Sequence, residues 1–193
     1  MTAPASILLS VGTDFHAFDR AVSWLDTWLE AHPEHQVGAI VQHGTSAPSR
    51  HGSNHQYLAH ADLQTALDEA RVAIVHGGPA TIFEAVEHGH VPVCVPRDPT
   101  LGEHVDSHQQ RFSRYLAGEG IVHLALTQDE FDQAVTDAMR TGRGQANTAR
   151  SLQRTQSMAT LADLVTSAIE IDRRPLARRS SPLTSVGRLL RRR

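Results

Sequence analysis

Five short apolar runs, at residues 7–11, 37–41, 72–75, 91–95 and 121–124, are rich in Val and Ile and do not alternate with polar residues. That lack of alternation constrains the fold more than any other feature. A strand with one wet face alternates apolar and polar residues, whereas an unbroken run fits a strand buried on both faces. The segments between the runs have helical spacing: Phe18, Val22, Leu25 and Leu29, then Leu63, Ala66, Leu67 and Ala70, then Ile82, Phe83 and Val86. Strand followed by helix, repeated, predicts parallel strands joined by right-handed crossovers. The expected class is α/β, a single Rossmann-like, doubly wound parallel sheet. From about Thr127 the strands stop. Residues 129–139 and 149–171 are expected as C-terminal helices, separated by a break over 141–147.

The charge divides the chain in two. Residues 1–172 hold all 21 acidic residues and 10 of the 18 basic ones, a balance of −11, while residues 173–193 hold 8 Arg and no acid. The expected organisation is a globular domain over 1–172 and an Arg-rich tail over 173–193. The acidic body argues against nucleic acid as its ligand. Every one of the 18 basic residues is Arg, which excludes a Schiff-base or P-loop lysine. The single Cys94 lies inside an apolar run and reads as a small buried hydrophobe. The N-terminus lacks the pattern of a signal peptide and no apolar run is long enough to span a bilayer, so a cytoplasmic protein is expected.

Residues 72–89, VAIVHGGPATIFEAVEHG, carry the strongest local signal. A buried strand ends at His76, Gly77 and Gly78 turn the chain, Pro79 stands where a first helical residue belongs, and Gly89 supplies the stop. The free amides and dipole of that helix point to the carboxyl edge of the sheet, where a diphosphate would be stabilised. With Ile82, Phe83 and Val86 as the buried stripe, Thr81 and Glu84 lie off it: a hydroxyl placed for a phosphate oxygen and a carboxylate placed for ribose hydroxyls. The alternative is a tight turn with a solvated Glu84. At the first strand, Gly12 permits a sharp turn and Thr13 offers a hydroxyl to the same edge. Asp14 reads as a cap for the following helix, and His16 as either a general base or a polar surface residue. Arg97 stands either as a partner for a carboxylate on the ligand or as a solvated residue.

The stretches His76-Gly-Gly-Pro-Ala-Thr-Ile-Phe-Glu84, Gly89-His-Val-Pro-Val-Cys-Val-Pro96 and Asp106-Ser-His-Gln109 resemble the C-terminal, donor-binding domain of glycosyltransferase family 28. Together with Val11-Gly-Thr-Asp-Phe-His16, they are similar to its short members of the PssE type. The resemblance implies the C-terminal half of a GT-B fold and transfer of a sugar from a UDP-sugar, with inversion and without a metal or other cofactor. It implies that Gly77, Gly78 and Thr81 lie at the diphosphate, Glu84 at the ribose, and His108 and Gln109 at the donor sugar or its phosphate. A GT-B enzyme needs a second domain for the acceptor, and one domain is expected here. The resemblance therefore implies a separate, membrane-associated PssD-like subunit holding a lipid-linked acceptor in exopolysaccharide synthesis, with this chain peripheral at the cytoplasmic face.

Three further readings stand beside this one. The same fold serves nucleotide-sugar 2-epimerases, and a binding subunit without turnover would retain it too. The tail, with apolar Leu183, Val186, Leu189 and Leu190 among its arginines, reads as a segment for anionic lipid, for a partner, or as a solubilising extension. Among thirteen histidines, neither His51, His55 and His60 nor the pair His104 and His108 is completed into a zinc set.

Overall fold

The computed structural model describes residues 7–143. Contacts divide the chain into a unit over Met1–Arg154 and a second over Thr155–Arg193. The expected helix over 149–171, the boundary at 172 and the Arg-rich tail all lie outside the described residues.

Six parallel strands form one sheet: β1 (Ile7–Ser10), β2 (Ala39–Gln42), β3 (Ser53–His55), β4 (Val72–His76), β5 (Val93–Val95) and β6 (His123–Leu124), in the order β3-β2-β1-β4-β5-β6. The connecting helices are α1 (Asp19–Ala31), α2 (His60–Glu69), α3 (Pro79–Glu87), α4 (His108–Gly118) and α5 (Gln128–Thr141). This is the expected doubly wound α/β architecture. One face of the sheet, through Ile7, Leu9, Val41, Ile74, Val93 and Val95, packs on Leu25 and Leu29 of α1 and on Phe131 and Val135 of α5. Residues of the opposite parity, such as Ala73, Val75 and Cys94, are equally buried, with Cys94 beside Ser113 of α4. Burial on both faces is why the sequence runs do not alternate. The buried Cys94 thiol is pushed up to about 12, so it carries no thiolate at neutral pH.

Two elements escape the hydrophobic pattern. The edge strand β3 reads Ser-Asn-His and pairs only with β2, so no apolar run marks it. Helix α4 begins at His108 behind a loop of polar residues. Helix α5 starts at a sequence-legible cap: the Thr127 hydroxyl accepts from Glu130 N–H, and Glu130 accepts in return from Leu126 N–H.

The strand order reverses direction between β1 and β4, so both crossovers leave this point in opposite senses. At such a switch point the crevice outside the carboxyl ends of the strands is where parallel α/β sheets bind ligands.

Candidate functional site

The crevice is built around His76, the last residue of β4. Its Nδ1 accepts a hydrogen bond from the Gly78 amide at 3.1 Å. The ring proton therefore sits on Nε2 and is donated to Thr81 Oγ1 at 3.2 Å. Burial, assisted by the charge of Arg97, lowers the imidazole from its ordinary 6.5 to about 4, so the ring is neutral and keeps this tautomer. Because Thr81 Oγ1 accepts from His76, its own proton is free to be donated. Thr81 and the first-turn amides of α3 thus present donors at one helix N-terminus, whose dipole also favours an anion.

The glycines are set by close approach. A Cβ at Gly12 would lie 2.4 Å from His76 Nε2, and one at Gly78 would lie 2.2 Å from its Cε1. The imidazole is wedged between the end of β1 and the start of α3. A Cβ at Gly77 would meet Gln109 Cβ at 2.8 Å and Ser113 Oγ at 3.0 Å, so this glycine lets α4 approach the β4 end. Thr13 is exposed on the loop after β1.

Glu84 is not merely solvated. Its Oε1 accepts from Gln64 Nε2 at 2.7 Å and lies 3.2 Å from His60 Nδ1, which positions the carboxylate between α2 and α3. Its Oε2 has no hydrogen-bond partner among the described residues and remains to accept from a ligand hydroxyl. The buried stripe of α3 differs from the expected one: Ile82 and Ala85 are buried, while Phe83 and Val86 are partly covered, Phe83 by an edge-to-face contact with Phe112. Thr81 and Glu84 still lie off it.

The loop between β5 and α4 is organised by Arg97. Neither expected role for this residue holds, because the guanidinium is fully buried and bonds to the protein's own carbonyls. It donates to Val11 O at 2.9 Å, His16 O at 2.7 Å and Glu103 O at 3.0 Å, and lies 4.8 Å over the Phe18 ring. A charge placed there ties the β1 end to two loops. Arg20 adds a forked pair to Glu103, at 2.9 and 2.7 Å. Gln109 is buried, and its Oε1 accepts from the Arg97 amide at 3.3 Å. His108 is exposed on the same rim, with Nδ1 2.7 Å from Asp106.

Asp14 does not cap α1. The N-cap residue is Phe18, with no side-chain cap bond, and Asp14 instead accepts from the His16 amide at 2.8 Å and lies 2.6 Å from His16 Nδ1. The positioning roles of Arg97, Glu103 and Asp14 escaped sequence reasoning, because their partners lie from 2 to 86 residues away in no fixed spacing. Among the described residues, no group of three or more His, Cys, Asp or Glu is arranged to hold a metal ion, and no helix is long and apolar enough to cross a membrane.

A parallel sheet in this order, with an anion-ready helix N-terminus and a carboxylate one turn further at its switch point, defines one Rossmann-like half of a GT-B fold. Residues 6–165 match the glycosyltransferase family 28 C-terminal domain, and the chain belongs to that family. Solved structures of similar fold include the glycotransferase of kitacinnamycin (TM-score 0.60, 20% identity, over 86% of this chain and 43% of that one). SnogD from Streptomyces nogalater (0.51, 18%, 87% and 44%) and CalG4, the calicheamicin glycosyltransferase (0.50, 18%, 88% and 45%), are similar too. The chain thus spans less than half the length of each. No curated protein matches it in sequence.

Proposed function

We propose that this chain is the donor-binding subunit of a split glycosyltransferase, which transfers a sugar from a UDP-sugar to a lipid-linked acceptor held by a separate PssD-like, membrane-associated subunit. The observation that carries this reading is the pairing of free donors at the start of α3 with the positioned Glu84 carboxylate, since a nucleoside diphosphate offers an anion for the one and a ribose diol for the other. The diphosphate is assigned to Gly77, Gly78 and Thr81, the ribose to Glu84, and the sugar or its phosphate to the rim with Gly12, Thr13, His76, His108 and Gln109. Reaction is displacement at the anomeric carbon with inversion. The departing diphosphate gains negative charge, which the amides, the Thr81 hydroxyl and the helix dipole stabilise without a metal.

Calorimetry tests the reading directly. The full chain is expected to bind UDP and UDP-sugars, to give negligible transfer to a lipid diphosphate by itself, and to transfer once the acceptor-domain partner is co-expressed. Efficient transfer by the lone chain would discard the split arrangement. Formation of the 2-epimer of the donor would replace transfer with epimerisation, and tight binding without transfer in the presence of the partner would leave a non-catalytic subunit.

A further inference from the structure

The loop after β1 holds an imidazole–carboxylate pair that donor binding does not use. Asp14 Oδ1 is 2.6 Å from His16 Nδ1 and accepts the His16 amide at 2.8 Å. Burial works to raise the Asp14 carboxyl, yet the two His16 contacts and Arg97 outweigh it and hold the group below its ordinary range. An ionised carboxylate only accepts, so a His16 ring proton lies on Nδ1, and in the neutral form of the ring the lone pair is on Nε2. Nε2 has no hydrogen-bond partner among the described residues. The ring is thus held in the one neutral tautomer that can take a proton at its outer nitrogen.

The surroundings make the pair rigid and supply its charges. Arg97 anchors the His16 carbonyl from beneath at 2.7 Å while also holding Val11 O and Glu103 O. From the facing loop, His104 Nε2 lies 3.7 Å from the other Asp14 oxygen, with its ring 6.2 Å from that of His16 and Asp106 at 3.8 Å behind it. The pair begins two residues after Gly12, which abuts His76 at the diphosphate site. A base fixed in place beside a donor site is the arrangement that proton abstraction from an attacking hydroxyl requires.

We propose that His16 is a catalytic base oriented by Asp14, and that the chain by itself slowly hydrolyses a bound nucleoside diphosphate sugar, with water in place of the acceptor. Nε2 takes a proton from water as the water oxygen bonds to the anomeric carbon. The bond from that carbon to the diphosphate oxygen breaks, and its electron pair leaves with the nucleoside diphosphate. The imidazolium then returns its proton to solvent, giving free sugar, nucleoside diphosphate and H⁺. The same base serves an acceptor hydroxyl during transfer. This inference rests on the donor-site reading.

The experiment measures UDP release by the full chain from UDP-glucose, UDP-N-acetylglucosamine and UDP-glucuronic acid, with binding of each followed separately by calorimetry. UDP release above buffer is expected for a sugar that binds, with the pH dependence of a reaction that needs an unprotonated base. His16→Gln is expected to cut the rate at least tenfold with UDP affinity unchanged, and added imidazole to restore part of the rate of His16→Ala. Asp14→Asn should lower the rate and displace its pH profile, because the ring loses its charged partner; a merely structural Asp14 would leave the profile in place, and that result would overturn its orienting role. A chain that binds a UDP-sugar yet releases no UDP above buffer, or a His16→Gln protein that hydrolyses at the unsubstituted rate, overturns the proposal. Failure of every UDP-sugar to bind the unsubstituted chain sinks the donor-site reading and the proposal with it, an outcome distinct from binding without hydrolysis.

Discussion

The imidazole of His76 occupies the space that any side chain at Gly12 would need, with a Cβ there falling 2.4 Å from Nε2. Gly12 also has a φ of +78°, a left-handed conformation that costs a residue bearing a side chain about 1–2 kcal/mol. Gly12→Ala is therefore expected to destabilise the fold by roughly 2–5 kcal/mol, the overpacking adding about 1–3 kcal/mol to the backbone strain. In a His76→Ala background the steric part vanishes, so the same substitution should cost only the backbone strain. Urea denaturation of the four proteins in this cycle measures the difference, and an equal cost in both backgrounds would contradict the wedge.

Acid should reveal the same imidazole. Its value of about 4 in the folded protein lies below the ordinary 6.5, so between these pH values the unfolded chain binds the proton and the folded chain does not. Stability from this group is full above about pH 6.5 and is lost as pH falls toward 4. The direction at His90 is the same, through burial first. Denaturation midpoints across this range should accordingly slope less steeply in His76→Gln than in the unsubstituted protein, without becoming flat.

Glu84→Ala should weaken UDP and UDP-sugar alike by about tenfold to a hundredfold, since a hydrogen bond to a charged group contributes about 1.5–3 kcal/mol. The residue lies off the buried face of α3, and thermal unfolding should move little. Unchanged UDP affinity by calorimetry removes Glu84 from the site.

Arg97→Met removes the donors to Val11 O, His16 O and Glu103 O. Each carbonyl left buried without a partner costs about 1–3 kcal/mol, so a loss of at least about 3 kcal/mol is expected in chemical denaturation. Glu103→Gln should cost less, because Arg20 keeps its bond to Pro96 O at 2.9 Å. Equal losses in the two variants would show that Arg97 is not the centre of the network.

Deletion of residues 173–193 should leave nucleotide binding unchanged while reducing association with anionic vesicles, most at low salt, since each basic residue near such a surface contributes about 1 kcal/mol. Sedimentation with vesicles of mixed neutral and anionic lipid checks this. Equal binding with and without the segment discards lipid as its target.

The layered fold was legible in residues 7–11, 72–75 and 91–95 because burial on both sheet faces forces unbroken apolar runs, and α3 was legible because Pro79 and Gly89 mark a helix start and stop by backbone chemistry alone. These are local signals, carried by neighbours in the chain. The α3 half of the candidate site was legible for the same reason, with Thr81 and Glu84 placed by helical spacing. Strand β3 stayed hidden, since an edge strand paired on one side needs no apolar run. So did the roles of Arg97, Glu103 and Asp14. Arg97 meets Val11 across 86 residues and His16 across 81, and only the approach of two loops at the sheet's switch point turns a residue that reads as a ligand partner or as solvated into a buried tie. Asp14 lies close to His16 in sequence, yet a cap and an orienting carboxylate have the same local pattern. What separated them was the start of α1 at Asp19, which left the Asp14 side chain without helix amides to cap and with an imidazole beside it.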